Sequence, residues 1–560
     1  MKTGFQITKW LLPGGFLTVL LIAAGCVSSD TSDLSSLSDP PEVTIGERLF
    51  LETRFAQFFA THSGSDVNKA LPLGTGDPVM DETVSTGDPL PGPFKGKTMN
   101  CRSCHLVDEQ FETPGGGMRT YDDFSRHSPI PDRGDGLSVT SRNSPPLVNA
   151  TLERNGIDLF LHFDGEFASI EDLVRETLTG RNFGWLPSEQ DQAVAHIARI
   201  IREDNGHDDF AQETGGLSYT VLLLGADPKI PASLRLSAAF QLDVQTATDQ
   251  EILDTVAKLI SAYVNNLRFG NKSAQPDSEY NKSPYDVFLA KNNLPRKPDP
   301  GESEIDYSRR LLQAVEAIGS PQFVAHDGSF ETHSQLFIFG AKEFQGLKIF
   351  FREGTSPLSS GVGNCIACHV APNFTDFHFH NTGVTQREYD QLHGSGALMA
   401  LSIPDLASRQ ADLPPTPAHP NGTGRFRAVP SATDPEKVDL GLWNVFANDD
   451  FPAPQAGLLD FMCDEFGVLA GSCANDALLP FSIAYFKAPT LRDLGHSNPY
   501  MHNGQFDALS DVVEHYRIVS EMARGNQLRN PSEELSGIRL SSGDTEAVVH
   551  FLKALDEDYE

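Results

Sequence analysis

Positive charge is scarce in this chain. Lys and Arg number 43 against 76 Asp and Glu over 560 residues, a net charge of −33 and a pI of about 4.8. Such a balance argues against nucleic acid and anionic lipid as partners. It fits a well-solvated surface, and it would suit a basic redox partner. Long apolar runs are also missing. Past the N-terminus no stretch is long and apolar enough to span a membrane. Sustained apolar–polar alternation, the mark of half-buried strands, is absent too, so the fold is expected to be mainly α. Cysteine is sparse: there are seven, few enough that each can be given its own role.

The length predicts two or three domains. At the N-terminus, Lys2 and Lys9 precede an apolar stretch from Phe16 to Ala24, which ends in Ala23-Ala24-Gly25-Cys26. This is the pattern of an export signal, removed in the mature protein. It is similar to a bacterial lipobox in which Cys26 takes a lipid. Ala23 stands where Leu is commoner, so cleavage to a soluble periplasmic protein is the alternative. Val27 after Cys26 points to outer-membrane sorting if the lipid is added. The Ser- and Asp-rich stretch from Val27 to Pro41 is expected to be a tether.

Two motifs carry the chemistry. Cys101-Arg102-Ser103-Cys104-His105 and Cys365-Ile366-Ala367-Cys368-His369 are both Cys-x-x-Cys-His. The spacing lets two thiols add to the two vinyl groups of one haem while the adjacent His reaches the iron. A redox dithiol or half a zinc site is the alternative for one such motif. Two in an exported chain point to two covalent haem c groups. Cys463 and Cys473 are expected to form a disulfide in an oxidising compartment, with free structural thiols the alternative.

The two motifs sit in related halves. Gly46-Glu47-Arg48-Leu49-Phe50 pairs with Gly346-Leu347-Lys348-Ile349-Phe350. Asn143-Ser144-Pro145-Pro146-Leu147 pairs with Lys487-Ala488-Pro489-Thr490-Leu491. The segment from Asp164-Gly165-Glu166-Phe167 pairs with that from Asn503-Gly504-Gln505-Phe506. Each half is expected to close with a helix. The first runs from about Glu189 to Asp204, capped by Ser188 and stopped by Asn205-Gly206, and the second from about Thr545 to Leu555. Between the halves, Thr248 and Glu251 form a capping-box pattern ahead of an apolar face of Ile252, Val256, Leu259, Tyr263 and Leu267. Another helix is expected from about Glu304 to Ile318. A Pro- and Asp-rich insert at about 385–480 is expected to be loop. The division is 1–26 signal, 27–95 tether and extension, 96–210 first cytochrome c domain, 211–335 helical insert, and 336–560 second cytochrome c domain.

Phe486-Lys487-Ala488-Pro489-Thr490-Leu491-Arg492 with Pro499-Tyr500-Met501-His502-Asn503-Gly504, Pro372-Asn373-Phe374-Thr375-Asp376 with His380-Asn381-Thr382-Gly383, and Arg142-Asn143-Ser144-Pro145 with Phe163-Asp164-Gly165 together resemble the bacterial diheme cytochrome c peroxidases and MauG-type diheme enzymes. The resemblance covers both haem domains and not the inserts. It implies His105 and His369 as axial ligands and Tyr516 as the second axial ligand of the C-terminal haem; neighbouring His515 or Met501 is the alternative. A phenolate donor favours oxidised iron. The repeat aligns Tyr516 with Thr177, a poor ligand, so the N-terminal haem is expected to keep an open, reactive face. His127 is a candidate removable ligand there, or a surface His. A calcium ion held by Asn143 and by the carbonyls of Ser497 and Pro499 is also implied; a turn role for Asn143 is the alternative.

The chain departs from the family at three places. Leu173 aligns with the Gln of the peroxide pocket, Phe183 with its Glu, and Phe163 with the Trp between the haems. O–O cleavage needs a proton relay, so Glu176, Arg175 and Arg181 are candidate replacements, or plain helix charges. The resemblance implies a peroxidase-like oxidoreductase using hydrogen peroxide, with a small cytochrome, a copper protein or a protein substrate as reductant. An apolar pocket also resembles that of the diheme rubber oxygenases, which implies an oxygen-dependent alternative. A non-enzymatic electron-transfer cytochrome is the third reading.

Overall fold

The first helix of the fold, α1 (Pro41–Phe50), carries Gly46 toward the backbone of a later helix, α4 (Asp249–Asn266). A Cβ on Gly46 would collide with the Leu259 carbonyl, so only glycine lets the two backbones approach this closely. The same crossing is made between α7 (Ala341–Phe351) and α11 (Ser542–Lys553), where a Cβ on Gly346 would collide with the Ala547 carbonyl. An aromatic pair lies one turn on in both: Phe50–Tyr263 and Phe350–Phe551 each have ring centroids 5.1 Å apart.

These are features of a computed structural model, which describes residues 39–72, 96–105, 127–152, 158–208, 211–212, 214–269, 280–326, 335–467, 473–492, 494 and 497–557. The signal segment, Cys26 and most of the expected tether lie outside them. Residues 40–560 form one unit. It is mainly helical. Among the described residues, the only named strands are β1 (Phe379–His380) and β2 (Phe486–Lys487), paired antiparallel. No described helix is long and apolar enough to cross a membrane.

Around the first crossing, α2 (Ile170–Thr179) and α3 (Gln190–Glu203) complete an apolar core. Ala193, Ile197, Ile200 and Ile201 of α3 are buried as their spacing predicts. Its start differs: Ser188 makes no cap, and Glu189 instead accepts from the Leu186 amide and pairs with Arg133. α4 starts with the expected capping box, Thr248 Oγ1 accepting from Glu251 N and Glu251 from Thr248 N. The helix that packs against α1 as α11 packs against α7 is therefore α4, not α3.

Residues 211–335 do not form a separate layer. α4 belongs to the first core, whereas α5 (Pro284–Lys291) and α6 (Glu304–Glu316) pack into the second with α7 and α11. Residues 41–50, assigned from sequence to an extension, are likewise core. A local pattern does not reveal which partner an apolar helix face meets.

The segment expected to be loop is built. It contains α8 (Val384–His393) and α9 (Gln455–Glu465), and a core in which Leu440, Leu442, Trp443, Leu458 and Met462 are fully buried. Its apolar residues are scattered through short turns, so no helical period shows, but they converge in space. Phe160 and Phe163 join this core. The expected disulfide Cys463–Cys473 is present.

Gly346→Ala is expected to lower stability by about 1–3 kcal/mol through overpacking against a rigid backbone. Gly319→Ala, with nothing within 4 Å of the added carbon, is expected to change little. Denaturant unfolding of both proteins checks this.

Candidate haem centres

Each Cys-x-x-Cys-His motif opens with one tight turn, Cys101–Ser103 and Cys365–Ala367. The His amide closes it, 2.9 Å from the Cys101 carbonyl in the first and 2.8 Å from that of Cys365 in the second. Asn100 caps the first turn by accepting from Ser103 N. Asn364, at φ 50°, starts the second and donates to the Glu534 carbonyl.

The four thiols form no disulfide. Burial pushes Cys101 and Cys104 up to about 12 and raises Cys365 and Cys368 as well. A redox dithiol needs a lowered thiol pKa, so that alternative is disfavoured. Yet all four are only partly shielded from water.

The two His side chains are set alike. His105 Nδ1 donates to the Pro145 carbonyl at 3.1 Å, and His369 Nδ1 to that of Phe374 at 3.0 Å. Burial keeps both imidazoles neutral, with pKa values near 4. A ring that donates through Nδ1 presents the Nε2 lone pair, the usual arrangement of a metal-ligating His. Thiols and ligand thus fit haem c at both motifs. The stretches Arg142–Pro145 and Pro372–Asp376 hold the orienting carbonyls or lead directly to them.

A cavity of about 1440 Å³ lies against Cys101, Cys104 and His105. Leu173, Glu176 and Thr177 of α2 line it with Phe183, and so do Pro414–Pro417 and Asp450–Pro454 of the insert. Burial, and then Glu166 nearby, raise the Glu176 carboxyl. Arg175 pairs with Asp172 and Asp254. Arg181 holds Asp135 and the Pro131 carbonyl. His127 is not among the lining residues; Nδ1 meets the Ser141 carbonyl at 3.1 Å and Nε2 lies 3.6 Å from Glu388.

At the second motif, burial raises the phenol of Tyr516, on α10 (Leu509–Arg524), and the Cys368 and Cys365 thiols add to the effect. His515 is spent elsewhere: Nε2 donates to the Thr382 carbonyl and Nδ1 accepts from Arg387. Met501 lies in a turn at φ 74°. Asn143 Nδ2 donates to the Pro499 carbonyl at 2.7 Å, which brings together two of the three residues implied for calcium; Ser497 is buried two residues before Pro499.

Sequence reasoning missed a charge network beside the cavity. Arg142 grips Asp439 through Nε and Nη2 at 2.6 and 2.9 Å and meets Asp164 at 2.5 Å. Arg427 binds Glu166 at 3.0 and 2.6 Å, and Glu166 accepts from His162 Nδ1 at 2.8 Å. The available signal was Glu166 opposite Gln505 in the repeat. Arg427 and Asp439 lay in a segment taken for loop.

No family model matches the chain. It is 26% identical over 234 residues, 42% of each chain, to cytochrome-c peroxidase IdrP2 of Denitromonas iodatirespirans. It is 38% identical over 103 residues, 18% of this chain and 25% of the relative, to IdrP2 of Pseudomonas sp. strain SCT. It is 35% identical over 71 residues, 13% and 20%, to the methylamine utilization protein MauG of Methylophilus methylotrophus. The chain thus matches well under half the length of these curated relatives. Among solved structures, it aligns with the diheme peroxidase BthA of Burkholderia thailandensis E264 at 16% identity and a TM-score of 0.43, over 93% of this chain and 87% of that one. A MauG-like protein associated with microbial copper homeostasis aligns at 16% and 0.40, over 94% and 92%.

Replacing Cys101 and Cys104 together by Ser is expected to leave one covalent haem per chain where the wild type has two, measured by pyridine haemochrome absorbance. Asp439→Asn leaves Arg142 short of a buried partner and is expected to cost about 3–5 kcal/mol in denaturant unfolding. Against the desolvation that burial imposes, Arg142 holds the Asp439 carboxyl far below its usual range. Its stabilisation is therefore complete above the ordinary carboxylate pKa and lost as pH falls through the depressed one. The variant should show a flatter acid limb.

Proposed function

We propose, on the premise of sequence kinship with the cytochrome c peroxidases and MauG, that this chain is a diheme c-type, peroxidase-like oxidoreductase. Two cytochrome c-like domains related by internal repeat carry the haems. The first, on Cys101, Cys104 and His105, is the peroxide-reactive site. The second, on Cys365, Cys368, His369 and Tyr516, transfers electrons. Asymmetry supports the reading: Thr177 is among the residues lining the first cavity, whereas at the second motif the thiol pair is felt at the Tyr516 phenol.

The bound haems supply redox-active iron. The chain's residues do the rest. His105 and His369 offer Nε2 because each Nδ1 is spent on a carbonyl. Thr177 is too weak a donor to close the first site. Glu176 faces the cavity with a raised pKa, so it keeps a proton to higher pH than an ordinary carboxyl and can deliver it. Arg175 is held by two carboxylates and steadies α2. Asn143 and Pro499, brought together by the bond from the amide to the Pro499 carbonyl, would hold a calcium ion joining the halves, with Ser497 supplying a further carbonyl.

Hydrogen peroxide is the oxidant in this reading. The reductant is a small cytochrome or copper protein, or a protein substrate, docking on an acidic surface. Export to the periplasm, with a lipid anchor at Cys26 in the outer membrane, is supported by the N-terminal pattern and the Cys463–Cys473 disulfide. An oxygen-dependent reaction on an apolar substrate is the second reading, favoured by Leu173 and Phe183 in the cavity wall.

The oxidised protein is expected to show one high-spin ferric haem and one low-spin His/Tyr haem by electron paramagnetic resonance. Tyr516→Phe should abolish the second signal and leave the first. Stopped-flow mixing with peroxide should perturb the high-spin band. Two low-spin haems in the wild type, unchanged by reduction or calcium, would sink the assignment.

A further inference from the structure

The family's proton-relay positions are apolar here, Leu173 and Phe183, yet the same cavity is lined by an imidazole that the reading above leaves idle. His162 sits at φ 61°, a conformation non-glycine residues seldom adopt and which marks a position held by its surroundings. A tight loop holds it, closed where Leu161 N donates to the Phe167 carbonyl at 2.8 Å. The loop sets His162 beside Glu166, with Nδ1 2.8 Å from Oε2, and the Phe167 ring packs edge-on against the imidazole. His162, Glu166 and His105 line one cavity, and His162 lies near enough to His105 for its charge to be felt there.

Glu166 is fixed in turn. Arg427 of the insert donates to both its oxygens, at 3.0 and 2.6 Å, and reaches Asp164 at 3.5 Å. Against the desolvation of burial, Arg427 and His162 hold the Glu166 carboxyl far below its usual range, so it stays an acceptor. An acceptor at Nδ1 fixes the tautomer in which Nε2 bears the lone pair, as the carboxylate of a Ser-His-Asp triad does. A metal ion is the other use of this cluster, since His162, Asp164 and Glu166 bring ligand atoms within 4.8 Å of one another. Arg142 and Arg427 already match the two carboxylates, which leaves little charge to attract a cation.

We propose that His162 is the residue that shuttles the peroxide proton in the first haem cavity, oriented by Glu166 and, through it, by Arg427 as a positioning residue; Glu176 is a separate proton donor there. This rests on the peroxidase reading. His162 Nε2 takes a proton from one oxygen of hydrogen peroxide and gives it to the other, which departs as water; the imidazole ends as it began. The haem pair, when bound, would supply the two electrons that the cleavage consumes, and the remaining oxygen would leave as a second water after taking two further protons from solvent.

The test uses oxidised holoprotein and cyanide, since hydrogen cyanide must lose its proton to bind ferric iron, and the association rate reads the base without turnover. His162→Gln is expected to slow cyanide association at neutral pH by about 100-fold. Glu166→Gln is expected to slow it less, with haem content and the high-spin signal kept in both. If His162→Gln fails to load haem, Glu166→Gln decides alone. An unchanged rate overturns the proposal. So does a first haem that is low-spin in the wild type and high-spin in His162→Gln, which would make His162 a ligand. Absence of a high-spin haem in the wild type and in both variants overturns the peroxidase reading itself, a result distinct from a slow base.

Discussion

Arg142 lies between two buried carboxylates, Asp439 and Asp164, and much of the first cavity depends on that contact. Buried charges are tolerated only when paired and hydrogen-bonded. Ser141 adds a bond to Asp439, and Arg427 adds charge to Asp164 and Glu166. One side of the network comes from residues 141–166 and the other from residues 427–439. The insert is thereby pinned against the segment that orients His105, because Pro145 follows Arg142 so closely. Removing one member strands the others, so the network behaves as a unit.

The two motifs share a local plan and diverge beyond it. Each places two thiols and a His with Nδ1 spent on a carbonyl, and each is backed by a pair of helices crossing at a glycine. What faces the motif differs. Thr177 and Leu173 of α2 line the first cavity, while at the second motif the thiol pair is felt at the Tyr516 phenol and His515 is tied to Thr382 and Arg387.

The insert changes the character of the first cavity. Its prolines and Asp450–Pro454 wall one side, and its own core takes in Phe160 and Phe163. Through Arg427 it also reaches a carboxylate beside an imidazole. Leu173 and Phe183 are apolar members of its wall, while His162 and Glu166 are polar ones.

Motifs with local grammar were legible in the sequence. Two Cys-x-x-Cys-His runs, the Thr248–Glu251 capping box, the apolar faces of α3 and α4 and the Cys463–Cys473 pairing depend on residues near one another along the chain, where spacing alone fixes geometry. Tertiary structure alone decided that α4 and not α3 meets α1, because both helices have an apolar face and spacing does not say which of them packs on Gly46. It also decided that the Pro- and Asp-rich segment folds, and that Arg427 reaches Glu166 across 261 residues of chain. Charge pairing of that kind follows from burial, and burial is a property of the packed molecule rather than of any window of its sequence.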